Sequence, residues 1–346
     1  MKQSISAIIA TVSISILSFQ AQAKVWRVNN NSGASASFTT LQAAQDNSSV
    51  LAGDTIQIEP SANNYGNANL NKKLVIIGPG YFLSQNTGLQ VGNSSASFNT
   101  IYLSSNCSGT VITGITVSDI YCGASNVSFI RNFFNGGYIR TATDGQSSPN
   151  VSNILILDNY AVCPILLNGT ASNVIIKGNY IINNGNFNSS NTSVTSVLIE
   201  NNIINQTSST DLYSCIFRNN IFLGDNKTGN SSGNNNNSYF NNLFEYANDS
   251  YNIMSGVTVG NGNLFGNSSY TQANIFNLTG STDAQWKLKT GSPALGAGVS
   301  GGDLGMFAGS NPYVLSGIPS VPTIYLLNTT SSGNGVSVTI STKSNN

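Results

Sequence analysis

The sequence predicts an all-β solenoid, a stack of similar coils, and three observations carry that reading. One short phrase recurs between residues 127 and 244, as NVSFIRNFF, NILILDNYA, NVIIKGNYI, SVLIENNII, SCIFRNNIF and a looser SYFNNLF. Its asparagines are Asn132, Asn159, Asn179, Asn202, Asn220 and Asn242, spaced 27, 20, 23, 18 and 22 residues apart. A period of about twenty that tolerates loop insertions is that of stacked repeats in which each coil touches only its neighbours. Apolar residues alternate within each phrase, as in strands with one buried face.

Residues 1–23 read as an export segment. Lys2 supplies the positive start, residues 7–19 the apolar stretch and Ala21-Gln22-Ala23 the cleavage site, so the mature chain is expected to begin at Lys24, secreted or held at the cell surface. The apolar stretch is too short for a good membrane span. Residues 24–309 are assigned to the solenoid and 310–346 to an extended tail packed on it. In the first part, Phe38-Thr39-Thr40-Leu41-Gln42-Ala43-Ala44 predicts a short capped helix, followed by a strand over residues 55–58. A bare solenoid end exposes core and unpaired backbone, and a helix there would cover it. Further strands are expected over 73–77 and 81–83. Residues 110–117 match the phrase, with Ile115 at the asparagine position. The stretch 224–238, GDNKTGNSSGNNNNS, is a polar loop. Pro312, Pro319 and Pro322 mark the tail as non-helical, and residues 335–342 alternate as one last strand.

In each phrase the alternation puts Val174, Ile176 and Ile181 inward and Ile175, Lys177 and Tyr180 outward. Asn179 falls at a bend, where equivalents stack at the strand spacing of about 4.8 Å. Turned inward, each amide can donate to the next rung and accept from the previous one, which satisfies backbone groups that the bend leaves unpaired. The asparagines are therefore expected to be structural.

Composition excludes several chemistries. Charged residues are 8% of the chain and histidine is absent. Histidine-dependent serine or cysteine catalysis and histidine-bound zinc are thus excluded within the chain. Cleavage would leave twelve basic and thirteen acidic residues with no basic stripe, so nucleic acid is not an expected partner. No metal site or cofactor is expected. Of the four cysteines, Cys107 and Cys122 have similar phases on consecutive coils and could bridge, while Cys163 and Cys215 fall on inward phases.

Two outward patterns flank the asparagines. Before them lie Lys177, Glu200 and Arg218 at one phase and Arg131 and Asp158 at the next, a sparse charge ladder whose partners one rung apart can pair. After them lie Phe133, Tyr160, Tyr180, Ile203, Ile221 and Leu243, all apolar or aromatic although alternation turns them outward. Such a stripe needs a partner. Either the tail, residues 312–327, covers it, or it binds sugar, with Tyr160 and Tyr180 as stacking platforms, Asn side chains as hydrogen-bond partners, and Phe133, Arg131 and Asp158 as further binding residues.

These residues resemble the pectate-lyase-like superfamily of right-handed parallel β-helices, and more narrowly the secreted β-helix-repeat proteins of Bacteroidota-type bacteria. The resemblance covers most of the mature chain. It rests on FTTLQAAQDNSSVLAGDTIQIEPS, on the asparagine phrase, and on WKLKTGSPALGAG and GGDLGMFAG followed by PYVLSGIPSVPTIY. It implies a right-handed parallel β-helix with an N-terminal helical cap. The superfamily's enzymes mostly act on acidic polysaccharides, but the Gly-His-Gly segment of polygalacturonases is missing, as are the aspartate–arginine motifs of pectin methylesterases and the clustered aspartates of pectate lyases. The reading is an exported protein that binds polysaccharide or serves as a structural or adhesive surface element. The alternative implied by the resemblance is a polyuronate lyase, with Lys177 as base, Arg218 as neutraliser of the substrate carboxylate and Glu200 as a ligand to calcium, the one ion that alternative would add.

Overall fold

A computed structural model describes residues 23–141, 150–183, 194–206, 212, 214–224, 236–245, 259–333 and 335–345. All but the last residue of the expected export segment lies outside these, as does most of the polar loop at 224–238.

The chain is a parallel β-helix. A ten-stranded sheet runs Val25–Val28, Thr55–Ile58, Val75–Ile77, Val111–Thr113, Ser128–Ile130, Asn150–Leu157, Thr170–Lys177, Thr195–Glu200, Cys215–Arg218 and Ser238–Phe240, each strand parallel to the next. The coil is right-handed, the hand that parallel crossovers adopt. An eleven-stranded sheet forms the remaining walls. It forks at Thr116–Cys122, whose first residues pair with Phe133–Phe134 and whose last pair with Ile139–Arg140. One branch continues down the phrase through Tyr160–Ala161, Tyr180–Asn183, Ile203–Gln206, Ile221–Leu223 and Leu243–Phe244. The other continues to Ile165–Leu166 and makes a third wall. At the N-terminal end the helix Leu41–Asp46 is capped by Thr40, whose hydroxyl accepts from the Ala43 amide at 3.1 Å. Its Leu41 and Ala44 close the core.

Inward residues behave as the alternation requires. Val174, Ile176 and Ile181 are fully buried in one core running the length of the solenoid. The asparagine ladder is present and one rung longer than the sequence reading, ending at Asn263. The Asn159 backbone N–H donates to Asn179 Oδ1 at 2.8 Å, its Nδ2 donates to the same oxygen at 3.0 Å, and that Nδ2 also reaches the Phe129 carbonyl at 2.9 Å. The pattern repeats through Asn202, Asn220, Asn242 and Asn263. Each side chain holds two backbone groups of its neighbours, which is why asparagine recurs in seven consecutive coils.

The flanking residue explains the bend. Arg131, Asp158, Gly178, Asn201, Asn219 and Asn241 all have φ between 51° and 70°, the left-handed region that Gly, Asn and Asp enter most readily. A second such column, Asn126, Asn153, Asn173, Ser196, Ser214 and Asn236, lies before or early in each of the last six strands of the first sheet. Its asparagines link outside the core, with Asn153 Nδ2 donating to Asn126 Oδ1 at 2.8 Å. In these six coils a left-handed residue therefore ends each sheet-one strand.

Three sequence expectations need correction. Residues 81–83 are not a strand: Phe82 has φ 50° and the segment turns so that both rings pack on Phe133. Cys107 and Cys122 are buried thiols, as is Cys163, and the Cys107–Cys122 bridge is not formed. Cys122 Sγ instead donates to the Ala124 carbonyl at 3.3 Å, and burial pushes its thiol up to about 12. The tail is also only part of the cover over the outward stripe. Residues 264–308, with Phe276, Trp286, Leu304 and Met306, supply most of it, and the tail adds Tyr313 and Leu315. Gly305 makes that approach possible. Its φ is +85°, and a Cβ there would stand 2.9 Å from Ile221 Cδ1. Beyond Pro322 the chain leaves the solenoid as an antiparallel hairpin, Thr323–Ser332 with Gly335–Lys343.

Candidate functional site

The expected sugar platforms are not available. Tyr160 and Tyr180 stack at 4.6 Å, Trp286 lies on Tyr180 at 4.5 Å, and Trp286 Nε1 donates to Tyr160 Oη at 3.3 Å. Both tyrosines are buried, and Phe133 is half-buried beneath Phe82 and Tyr81. The cover is pinned by Asp283, a fully buried carboxylate that accepts from the Ser316 amide at 2.6 Å, Ser281 Oγ at 2.7 Å and Asn86 Nδ2 at 3.0 Å. The rings turn outward from the solenoid, as alternation requires, and then form a second core.

The charges form one strip rather than two sets. Lys177, Glu200 and Arg218 are direct partners on consecutive strands. Glu200 Oε2 receives Lys177 Nζ at 3.0 Å, and Oε1 receives Arg218 at 2.7 Å. Both oxygens of this buried carboxylate are thus engaged by cations. That arrangement opposes the calcium-ligand and base roles that the lyase alternative gives to Glu200 and Lys177, since each would have to abandon its partner first. Among the described residues no three His, Cys, Asp or Glu side chains converge as a metal site would need.

Arg131 and Asp158 extend the strip toward the N-terminus. Left-handed backbone turns both side chains out of the bend beside Lys177, and together the three line a cleft of ≈ 460 Å³ closed on its far side by Ser310, Asn311, Pro312, Val314 and Ser320. Arg131 ties down that rim, its Nη1 donating to the Ile318 carbonyl and to Ser320 Oγ, each at 2.9 Å. Arginine is an unusual residue for left-handed backbone, and the conformation costs on the order of 1–3 kcal/mol. Asp158 is buried, yet no described residue donates a hydrogen bond to its carboxyl. Gly178 leaves it room, because a Cβ there would collide with Asp158 Oδ1. Burial pushes the Asp158 carboxyl up to about 7, against the opposing pull of Arg131 and Lys177. The cleft thus holds a carboxyl near neutrality, two cations and several small polar groups.

A further cluster escaped the sequence reading. On the third wall Tyr102, Tyr121 and Arg140 are register partners on consecutive coils. The signal was present, for they lie 19 residues apart, one coil each. The asparagine phrase does not extend to that wall, so its period went unread there.

No family model matches this chain, and no curated protein matches it. Among solved structures, the chain is similar to the pectin methylesterase from Aspergillus niger in deglycosylated form, at 14% identity over 72% of this chain and 96% of that one, with a TM-score of 0.38. A likeness at that level carries no argument about function. No described helix is long and apolar enough to cross a membrane.

Proposed function

We propose that this is an exported β-helix protein that binds polysaccharide, with the sugar chain seated in the cleft of Arg131, Asp158 and Lys177. The observation that carries the reading is the Asp158 carboxyl, largely buried yet opening onto the cleft, with no donor among the described residues. A sugar hydroxyl is a donor of the right size to reach it. Ser310, Asn311 and Ser320 supply further donors and acceptors around the same opening. The test is a glycan array on the mature chain, followed by titration of the best ligand. Asp158→Ala should weaken that ligand about tenfold or more, without altering the thermal melt at neutral pH downward. An unchanged affinity would remove the cleft from the binding site.

A second reading, polyuronate lyase, draws on one observation, the Asp158 carboxyl near 7, which suits a base working at neutral pH. In that reaction Asp158 takes the C5 proton, electrons form the C4–C5 double bond and the glycosidic oxygen leaves C4, while Arg131 or Lys177 neutralises the uronate. Absorbance of an unsaturated uronide across alginate, pectate and glycosaminoglycans, with and without calcium, decides it. Product lost in Asp158→Asn would favour the lyase, and no product from the parent protein would end it.

A further inference from the structure

The third wall carries a cation with no internal partner among the described residues. The chain has four arginines. Arg27 pairs with Glu59, Arg218 with Glu200, and Arg131 holds the tail. Arg140 has neither a carboxylate nor a hydrogen-bond acceptor among the described residues, and its Nε is enclosed without one. It is nonetheless held in place. Its guanidinium carbon lies 4.8 Å from the Tyr121 ring centroid and 4.1 Å from that of Tyr138. Tyr121 is itself stacked on Tyr102 at 4.7 Å and 17°. Asp119 fixes the second ring, because its Oδ1 accepts from the Tyr138 amide at 3.0 Å and its carboxyl packs against Gly137, whose φ is +61°. A Cβ at that glycine would collide with it. Tyr138 remains exposed, and Tyr102, Tyr121 and Arg140 are partly so.

A guanidinium held between two rings keeps its charge and its planar fork while losing rotamer freedom, so little ordering remains to be done when an oxyanion arrives. The outer face of Tyr138 supplies an amphipathic surface beside it. We propose that Arg140, with Tyr121 and Tyr138, is a second subsite that reads an anionic substituent, a carboxylate or a sulfate ester, on a saccharide lying against Tyr138. The ligand class rests on the polysaccharide reading above, but the subsite is on a different wall and stands on its own residues.

The experiment titrates wild type, Arg140→Gln, Arg140→Lys and Asp158→Asn with three probes: a uronate oligosaccharide, its carboxyl-reduced form and a sulfated oligosaccharide. Wild type should bind at least one acidic probe about tenfold more tightly than the reduced one. Arg140→Gln should abolish that preference while leaving the thermal melt and the affinity for the reduced probe in place. Arg140→Lys should restore it only in part, since an ammonium lacks the fork. The two acidic probes separate carboxylate from sulfate recognition. A preference that survives Arg140→Gln overturns the subsite, as does a wild type that binds none of the probes. Asp158→Asn distinguishes the two proposals. If it leaves all affinities unchanged while Arg140→Gln removes the preference, the cleft fails and the third-wall subsite stands.

Discussion

Two apolar surfaces lie outside the solenoid, and the molecule treats them differently. The stripe after the asparagines is sealed, with Ile203, Ile221 and Leu243 fully buried under residues 264–315. The C-terminal hairpin is not. Leu327, Val336, Val338 and Ile340 are 47%, 69%, 52% and 56% exposed, and the ribbon touches the body mainly at its base, through Thr323 Oγ1 to the Leu89 carbonyl and the Val91 amide to the Ile324 carbonyl. Both surfaces come from the same local rule, β-branched and aromatic residues on an extended backbone. What separates them is a matching surface. The stripe has one residue per coil at a fixed rung spacing, so a single segment can track it. Ile324 and Leu327 line a groove with Pro60, Pro79 and Val91 at the hairpin's base, while Val336, Val338 and Ile340 stay largely exposed. Outward apolar residues therefore bear on stability only where the chain returns to them.

The largest test of that contrast is Trp286→Ala. It removes the ring stacked on Tyr180 and the bond to Tyr160, and should destabilise the protein by about 3–5 kcal/mol in denaturant unfolding. A loss near zero would mean that the cover is not part of the fold's stability. Next is Asn179→Ala, beneath the stripe. It deletes bonds to Asn202 Oδ1 and to the Ile156 and Lys177 carbonyls, and strands the Asn159 amide. A loss of about 2–3 kcal/mol is expected, whereas tolerance of alanine would show that water replaces the ladder.

A smaller effect comes from pH at the edge of the cover. The folded state holds the Asp158 proton up to about 7, against an ordinary 3.8. Between those values the folded chain binds more protons than the unfolded one, so this group's contribution to stability falls as pH rises through that window and is level above it. Asp158→Asn should abolish this component of the slope, with a higher melting temperature than wild type at pH 8 and no gain at pH 4. The reverse order would mean that the carboxyl is ionised and stabilised in the fold. Smallest of all should be truncation after Pro322. Loss of the hairpin is expected to leave solenoid unfolding within about 0.5 kcal/mol of the full chain. A collapse of the melt would place the hairpin with the stripe rather than against it.

Much of this was legible in the residues. The inward positions, the ladder, the partnering of Lys177, Glu200 and Arg218, and the need for something to lie over Tyr160 and Tyr180 all follow from one period. A stacked coil puts equivalent residues in equivalent surroundings. Other features were less visible for identifiable reasons. Asn263 closes the ladder where the strand phrase preceding it has faded. The second column at Asn126, Asn153 and Asn173 follows the ladder's own spacing but reads as ordinary loop polarity. The convergence of Arg131, Asp158 and Lys177 was hidden because their phases differ by one place, and only the left-handed backbone at the bend swings them to one side. Phe276, Trp286, Leu304 and Met306 sit in a segment without periodicity, so nothing local announced where they would lie.

The sequence by itself determined the coil, its inward face and its ladder, because those depend on contacts between residues one period apart. Only the tertiary structure decided which outward residues are surface. That choice depends on where residues 264–318 return, a long-range packing event set by shape and by a close glycine approach at Gly305. The same return turns two expected sugar platforms into core and leaves the cleft at Asp158 open.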